Sequence, residues 1–332
     1  MRAGLQRQRG VALVIALLAV ALAVILIAAL LDRGELAHAR TRNVLRGSQA
    51  IAYADGLEAY AAQVLVRDLD DGRIDTRADI WALPLPPQDV PGGRISASLR
   101  ELNGCFNLNN LAVDDATLAG LWRERLRRLL GALELDPALA GAIADWVDGD
   151  GHADPGGGAE DAAYLSQALP YRAANRPLAH VSELRLVRGV GGEVYARLVP
   201  EVCALPPGTD LNLNTASLAV LMSLDTRITP ALAGRVHLDG QARWNDVDGA
   251  LAEWSRQGVD LADRRGLGVA SSYFLARADI VLDEVPFPMA SLLERRAGGA
   301  DGGVHVLMRS RGADDDVALA NLPSAAGWSG AR

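Results

Sequence analysis

Apolar positions follow three different patterns along this chain. The first is an unbroken run at residues 11–31, VALVIALLAVALAVILIAALL, with no charge in it. At the α-helical rise this run is roughly 31 Å long, one hydrocarbon thickness of a bilayer. The second is helical spacing. Leu36, Val44, Leu45, Ile51, Ala52, Tyr53, Leu57, Tyr60, Val64 and Leu65 recur in a stretch without proline, 33–67, so the helix is predicted to continue beyond the span. The third is alternation. Ile95, Ala97 and Leu99 within 94–102, YFLARADIVL at 273–282 and VHVLMR at 304–309 read as strands. Pro84, Pro86, Pro87 and Pro91 with Gly92 and Gly93 predict a loop, and glycine-rich 298–303 predicts a turn between the last two strands.

The middle of the chain changes character. Residues 114–133, 137–147, 181–187, 193–199, 217–224, 230–236 and 247–257 read as short helices, with Pro137 and Pro230 placed where a first turn accepts proline. The pattern predicts an α+β fold. A long N-terminal helix with a transmembrane half precedes an antiparallel sheet, and a large all-α insertion interrupts that sheet. The expected boundaries are a leader at 1–10, a span at 11–31, a head at 32–110, 200–210 and 266–332, and helical parts at 111–199 and 211–265. An internal echo runs through the insertion: Cys105-Phe106-Asn107-Leu108-Asn109-Asn110 and Asp210-Leu211-Asn212-Leu213-Asn214-Thr215 each precede a helix. Two independent capping motifs and a true duplication both account for it.

Half of the 332 residues are hydrophobic, which is enough for a sizeable core and excludes global disorder. The formal charge of −8 argues against a general nucleic-acid binder, which needs a cationic face. Leu211–Ala216 segment residues 211–216 followed by 228–233, and LVRGV at 186–190 with Gly191, resemble helix-hairpin-helix units of a membrane-tethered DNA receptor, the rival reading. In the first, Arg227 and Thr229 replace the glycines that let backbone N–H groups approach phosphate. His38, His152, His180, His237 and His305 are scattered, and no nucleophile elbow, zinc-protease motif or P-loop occurs, so no enzyme is expected.

The first ten residues, MRAGLQRQRG, carry Arg2, Arg7 and Arg9 and no acid, which predicts a cytoplasmic N-terminus. The apolar run is too long for an ordinary secretory signal. A plain signal anchor fits. So does another reading, because Gly10 between a basic leader and an apolar run resembles the type IV prepilin class, which is cut after such a glycine and would leave Val11 as the new N-terminus.

Asp145, Asp148, Asp150, Asp154, Glu160 and Asp161 crowd together with Gly149, Gly151, Gly156, Gly157 and Gly158 between them. A hard cation such as Ca²⁺, which takes six to eight oxygens, would relieve their repulsion; a solvated acidic loop is the alternative. The run from Asp148 begins like an EF-hand loop, but its sixth position is Ala153 and its twelfth Ala159. Asp148, Asp150, Asp154, Glu160 and Asp161 are the candidate ligands, with His152 facing outward. The two cysteines, Cys105 and Cys203, are too few for a four-cysteine zinc site. They flank the first helical half and can form a disulfide in an oxidising compartment, or remain buried thiols.

The prepilin-like start, GCFNLNNL at 104–111, the acidic segment at 145–161 and LNLNTA at 211–216 occur in an order that resembles the GspK family, large minor pseudopilins of type II secretion systems. The resemblance implies a pilin-like α+β head with an all-α insertion, and calcium bound in the insertion. It implies cleavage by prepilin peptidase after Gly10, with a methylated Val11, and anchoring in the inner membrane with the head in the periplasm. It also implies a place at the pseudopilus tip with GspI and GspJ, joined by GspH, and no catalysis and no nucleic acid. Most pilin-type subunits carry Glu at the fifth position after the cleaved glycine; here it is Ile15, as in the GspK family. A carboxylate in lipid is costly unless paired, and a subunit with none above it has no ammonium to pair it with.

Overall fold

The computed structural model describes residues 9–261, 263–298 and 302–311. The chain divides into two compact units, 1–55 and 56–332, within its first helix. That helix, α1, runs Arg9–Asp71. In the first unit its apolar stretch is exposed along its length, Leu18 by 70% and Leu30 by 67%. Among the described residues α1 is the one helix long and apolar enough to cross a membrane, which fits single-pass anchoring.

In the second unit the elements follow as β1 (Leu85–Val90), β2 (Gly93–Glu101), β3 (Phe106–Asn107), α2 (Ala116–Ala132), α3 (Leu139–Val147), α4 (Asp161–Leu165), α5 (Gly192–Leu198), β4 (Val202–Cys203), β5 (Leu211–Asn212), α6 (Leu218–Met222), α7 (Pro230–His237), α8 (Val247–Arg256), β6 (Leu267–Gly268), β7 (Tyr273–Leu282), β8 (Val285–Arg296) and β9 (Gly303–Arg311). Five strands form an antiparallel sheet in the order β1-β2-β7-β8-β9. Leu57, Ala61 and Leu65 are buried on one stripe of α1, and Ala61 and Leu65 pack with Trp81, Phe274, Ala276 and Leu293 between helix and sheet.

Two strands depart from the sequence reading, for a common reason. The proline loop is the edge strand β1, where Pro86 and Pro87 sit at an irregularity in its pairing. Strand β8 was not anticipated, and it contains Pro286 and Pro288. Its pairing with β9 runs from Met289 to Arg296, so among the described residues both prolines have β7 alone as a strand neighbour. A proline without an N–H is tolerated at such edges. The β7–β8 turn uses Asp283 and Glu284 at φ 45° and 67°, a two-residue hairpin without the customary glycine.

The insertion has its own core around Leu126, Leu129, Leu130, Ile143, Leu184, Leu221 and Trp254. Phe106, Leu108, Val202 and Leu267 belong to that core, so the seam lies nearer Asn103 and Ser271 than the boundaries expected at 110, 200–210 and 266. Side chains of the echo motifs draw these segments in. Asn109 exchanges two hydrogen bonds with the backbone of Leu178 (2.7 and 3.0 Å), and Asn214 does the same with Trp244 (2.8 and 3.1 Å). Asn107 and Asn212 each accept from the N–H two residues on. Short parallel ladders follow the same scheme, β3 with β4 and β5 with β6. The geometry matches a repeated unit rather than two unrelated caps.

Candidate metal centre

Asp148 caps the end of α3 and leaves it in extended conformation, and Glu160 stands at the N-cap of α4. The loop between them returns on itself, held by Asp145. This carboxylate is 1% exposed and accepts from the N–H of Asp154 (3.1 and 3.2 Å) and of Ala159 (2.7 Å). Gly158 makes that return possible: a Cβ there would lie 2.2 Å from Asp145 Oδ2 and 2.3 Å from the Asp154 nitrogen.

The closure brings together carboxylate oxygens of Asp148, Asp150 and Glu160, all within 4.8 Å of one another. Asn175 completes the group. Its Nδ2 donates to the Asp150 carbonyl (2.7 Å) and to Glu160 Oε2 (3.4 Å). Its backbone is left-handed at φ 43°, a conformation asparagine tolerates. Asp148 Oδ1, Glu160 Oε1 and Asn175 Oδ1 are buried without a hydrogen-bond partner among the described residues. Burial, then the charges of Asp150, Asp145 and Glu160, push the Asp148 carboxyl up to about 6. Glu160 is raised too, first by burial, against the hydrogen bond from Asn175. Oxygen donors that are buried, unpaired and mutually repelling fit a hard divalent cation.

The other two candidates face elsewhere. Asp154 pairs with Arg123 (3.2 Å) and Arg127 (3.7 Å) and accepts from Gly156 N. Asp161 accepts from Ala173 N (3.0 Å) and lies 3.7 Å from Arg172. His152 is exposed, its backbone N–H bonded to Asp150. The sequence reading missed Asn175, which lies in YRAANRP with no ligand spacing to mark it.

A second carboxylate group, Asp68, Asp75 and Asp79, gathers at the end of α1. There a cation is built in: Arg295 reaches Asp68 at 2.7 Å and Asp75 at 2.5 and 2.6 Å. Cys105 and Cys203 stand with Cα atoms 5.8 Å apart and sulfurs joined at 2.03 Å. Gly10 and Val11 fall in the first turn of α1; the leader ahead of Arg9 lies outside the described residues. Gly189, in the rival hairpin, has φ 87°, and a Cβ on it would meet Leu139 Cδ2 at 2.7 Å, so this glycine serves packing.

Comparison with known proteins decides the family. Type II secretion system protein K of Pseudomonas aeruginosa is 35% identical over 319 residues, 92% of this chain and 93% of that protein. The chain belongs to the type II secretion system protein K family. A family model described as type II secretion system, protein K, matches residues 104–207, which hold both cysteines, the first asparagine clamp and the acidic loop. Protein K of Klebsiella pneumoniae is 35% identical over 308 residues, 87% of this chain and 93% of that protein. A solved chain from the GspK-GspI-GspJ complex of enterotoxigenic Escherichia coli is 30% identical, with a TM-score of 0.72, covering 82% of this chain and 99% of that one. This member of the protein K family is thus a minor pseudopilin of a type II secretion system, a structural subunit and not an enzyme.

Proposed function

We propose that this pseudopilin sits at the tip of the pseudopilus, where it starts assembly and caps it. The observation that carries this is the likeness to GspK of a GspK-GspI-GspJ complex, along nearly the whole of that chain. On this reading the partners are GspI- and GspJ-like pseudopilins, with a GspH-like subunit below. Prepilin peptidase cuts the precursor after Gly10, and Val11 becomes a methylated N-terminus. Residues 11–31 anchor the subunit in the inner membrane. Arg2, Arg7 and Arg9 keep the leader cytoplasmic and send the head to the periplasm. Ile15 supports the terminal position, since it offers no carboxylate to a subunit above. The bulk of the insertion blocks further addition.

In the periplasm the Cys105–Cys203 bond is kept oxidised. Asp148, Asp150, Glu160 and Asn175 Oδ1 would hold Ca²⁺, with water and backbone carbonyls filling the remaining positions. The ion would neutralise the repelling carboxylates and lock the return loop. It serves shape and not chemistry. The test is co-expression of the full chain with the GspI- and GspJ-like pseudopilins of the same secretion system, followed by purification through a tag on this subunit. A stable ternary complex is expected. Recovery of the tagged subunit alone, correctly folded, overturns the tip assignment.

A further inference from the structure

A cavity of 520 Å³ opens where the end of β2 meets the insertion, lined among others by Arg77, Trp81, Arg100, Glu101, Glu201 and Ser217. Three observations define what it can hold. First, β1 pairs with β2 only as far as Ala97, while β7 pairs with it through Glu101. Among the described residues, 98–101 therefore have a strand neighbour on one side only, and the helical turn Ile80–Ala82 packs against β2 without a backbone ladder to it. An open strand edge is a template for an extended polypeptide.

Second, Arg100 lies on this open stretch and makes no hydrogen bond or ion pair among the described residues. Burial lowers its pKa, as expected of a guanidinium deprived of water. Glu101 and Glu201 attract this guanidinium through their charge, but their hydrogen bonds go to other donors. Glu101 accepts from Gly104 N (3.0 and 3.1 Å) and Ser271 Oγ (2.6 Å), and Glu201 accepts from Ser217 Oγ. Arg77 donates through one nitrogen to the Thr215 carbonyl at 2.7 Å. Third, Trp81 is 4% exposed, and its indole N–H is buried without an acceptor among the described residues. Unspent donors beside an apolar wall call for an acceptor that is planar, anionic and carried on a short stem. A carboxylate matches the guanidinium fork in two-point geometry.

We propose that this cavity binds an acidic side chain of an extended polypeptide segment, which runs along the open end of β2 with its carboxylate on Arg100. Neither the tip position nor the ion site is needed for this. The test uses the full chain in detergent micelles and a fluorescein-labelled, end-blocked peptide Ala-Val-Glu-Val-Ala, with its Gln counterpart, read by fluorescence anisotropy. The Glu peptide is expected to bind about tenfold more tightly than the Gln peptide. Arg100→Gln should lower the Glu peptide to the level of the Gln peptide while leaving the Gln peptide unchanged, with circular dichroism showing that the variant is folded. Arg100→Lys should recover only part of the preference, because an ammonium lacks the fork. Inorganic phosphate should compete poorly. Equal binding of the two peptides, an unchanged preference in Arg100→Gln, no anisotropy change up to about 1 mM peptide, or displacement by phosphate as effective as by unlabelled Glu peptide each overturns the proposal.

Discussion

Replacing Arg295 by Leu removes the cation that pairs with two buried acids. Its side chain is 4% exposed and donates to Asp68, to both oxygens of Asp75, and to the Ser271 carbonyl at 2.8 Å, with its guanidinium 4.8 Å from the Phe274 ring centroid. Leu fills much of the space but leaves two carboxylates facing each other. The cost is not a sum of the lost hydrogen bonds, since those replace bonds to water. It is the cost of stranding buried charge, about 3–5 kcal/mol. For a unit of this size that lowers the melting temperature by roughly 6–20 °C. The deficit depends on pH. Burial already raises the Asp68 carboxyl to about 6, despite its contact with Arg295, and burial raises Asp75 as well. A raised carboxyl means that the folded state binds protons that the unfolded state has released, so stability falls as pH rises through this window. Without Arg295 both groups shift further, and the loss is largest at pH 8 and smallest near pH 5. Melts followed by circular dichroism on the full chain in detergent, at both pH values, give the comparison, with Asp75→Asn/Arg295→Leu as the second variant. The double variant should regain more than half of the loss at pH 8. A single variant that melts with the wild type at pH 8, or a double variant no better than the single, refutes the reasoning.

Other outcomes are open to direct measurement. Titration calorimetry should detect Ca²⁺ binding to the full chain, lost in Asp148→Asn and Glu160→Gln but kept in Asp161→Asn; retention of full affinity in the first two would move the ion elsewhere. Gly158→Ala should cost about 1–3 kcal/mol, because the added methyl collides with Asp145 and the Asp154 backbone, and chemical denaturation would show it as a lowered midpoint. Replacing Cys105 and Cys203 together by Ser opens a loop with a sequence separation of 98, and the expected loss is at most about 4.7 kcal/mol by chain entropy; a midpoint equal to that of the oxidised protein would count against the bond. Asp68→Asn should flatten the decline in melting temperature between pH 5 and 7.

The parts of the fold legible in the sequence were those with local causes. An uncharged run makes its own membrane helix, and the alternation in β7 survives because both its neighbours are in place. Strands β1 and β8 were hidden because their prolines forbid a ladder on one side; β1 lies at the sheet edge, and among the described residues the β8 prolines are paired with β7 and not with β9. At the acidic loop the composition pointed to the right stretch but could not rank its acids. Which carboxylates converge depends on Arg123 and Arg127 claiming Asp154 from another helix, and on Asn175 arriving from a later loop. The Arg295 cluster has no local signature, since its members come from positions 68, 75, 271 and 295.

The insertion leaves the sheet after β2 and rejoins it at β7, and these strands are direct neighbours, with Glu101 opposite Phe274 and the Leu102 N–H on the Tyr273 carbonyl at 2.9 Å. The sheet is therefore an ordinary hairpin in which a whole domain stands where a tight turn would do. Such a cassette can lengthen, shrink or be exchanged without shifting a single strand register. Closing β2 directly onto β7 with a short turn should leave a miniature pilin head that still folds, stripped of the acidic return loop and of the bulk that the cassette adds beyond the sheet.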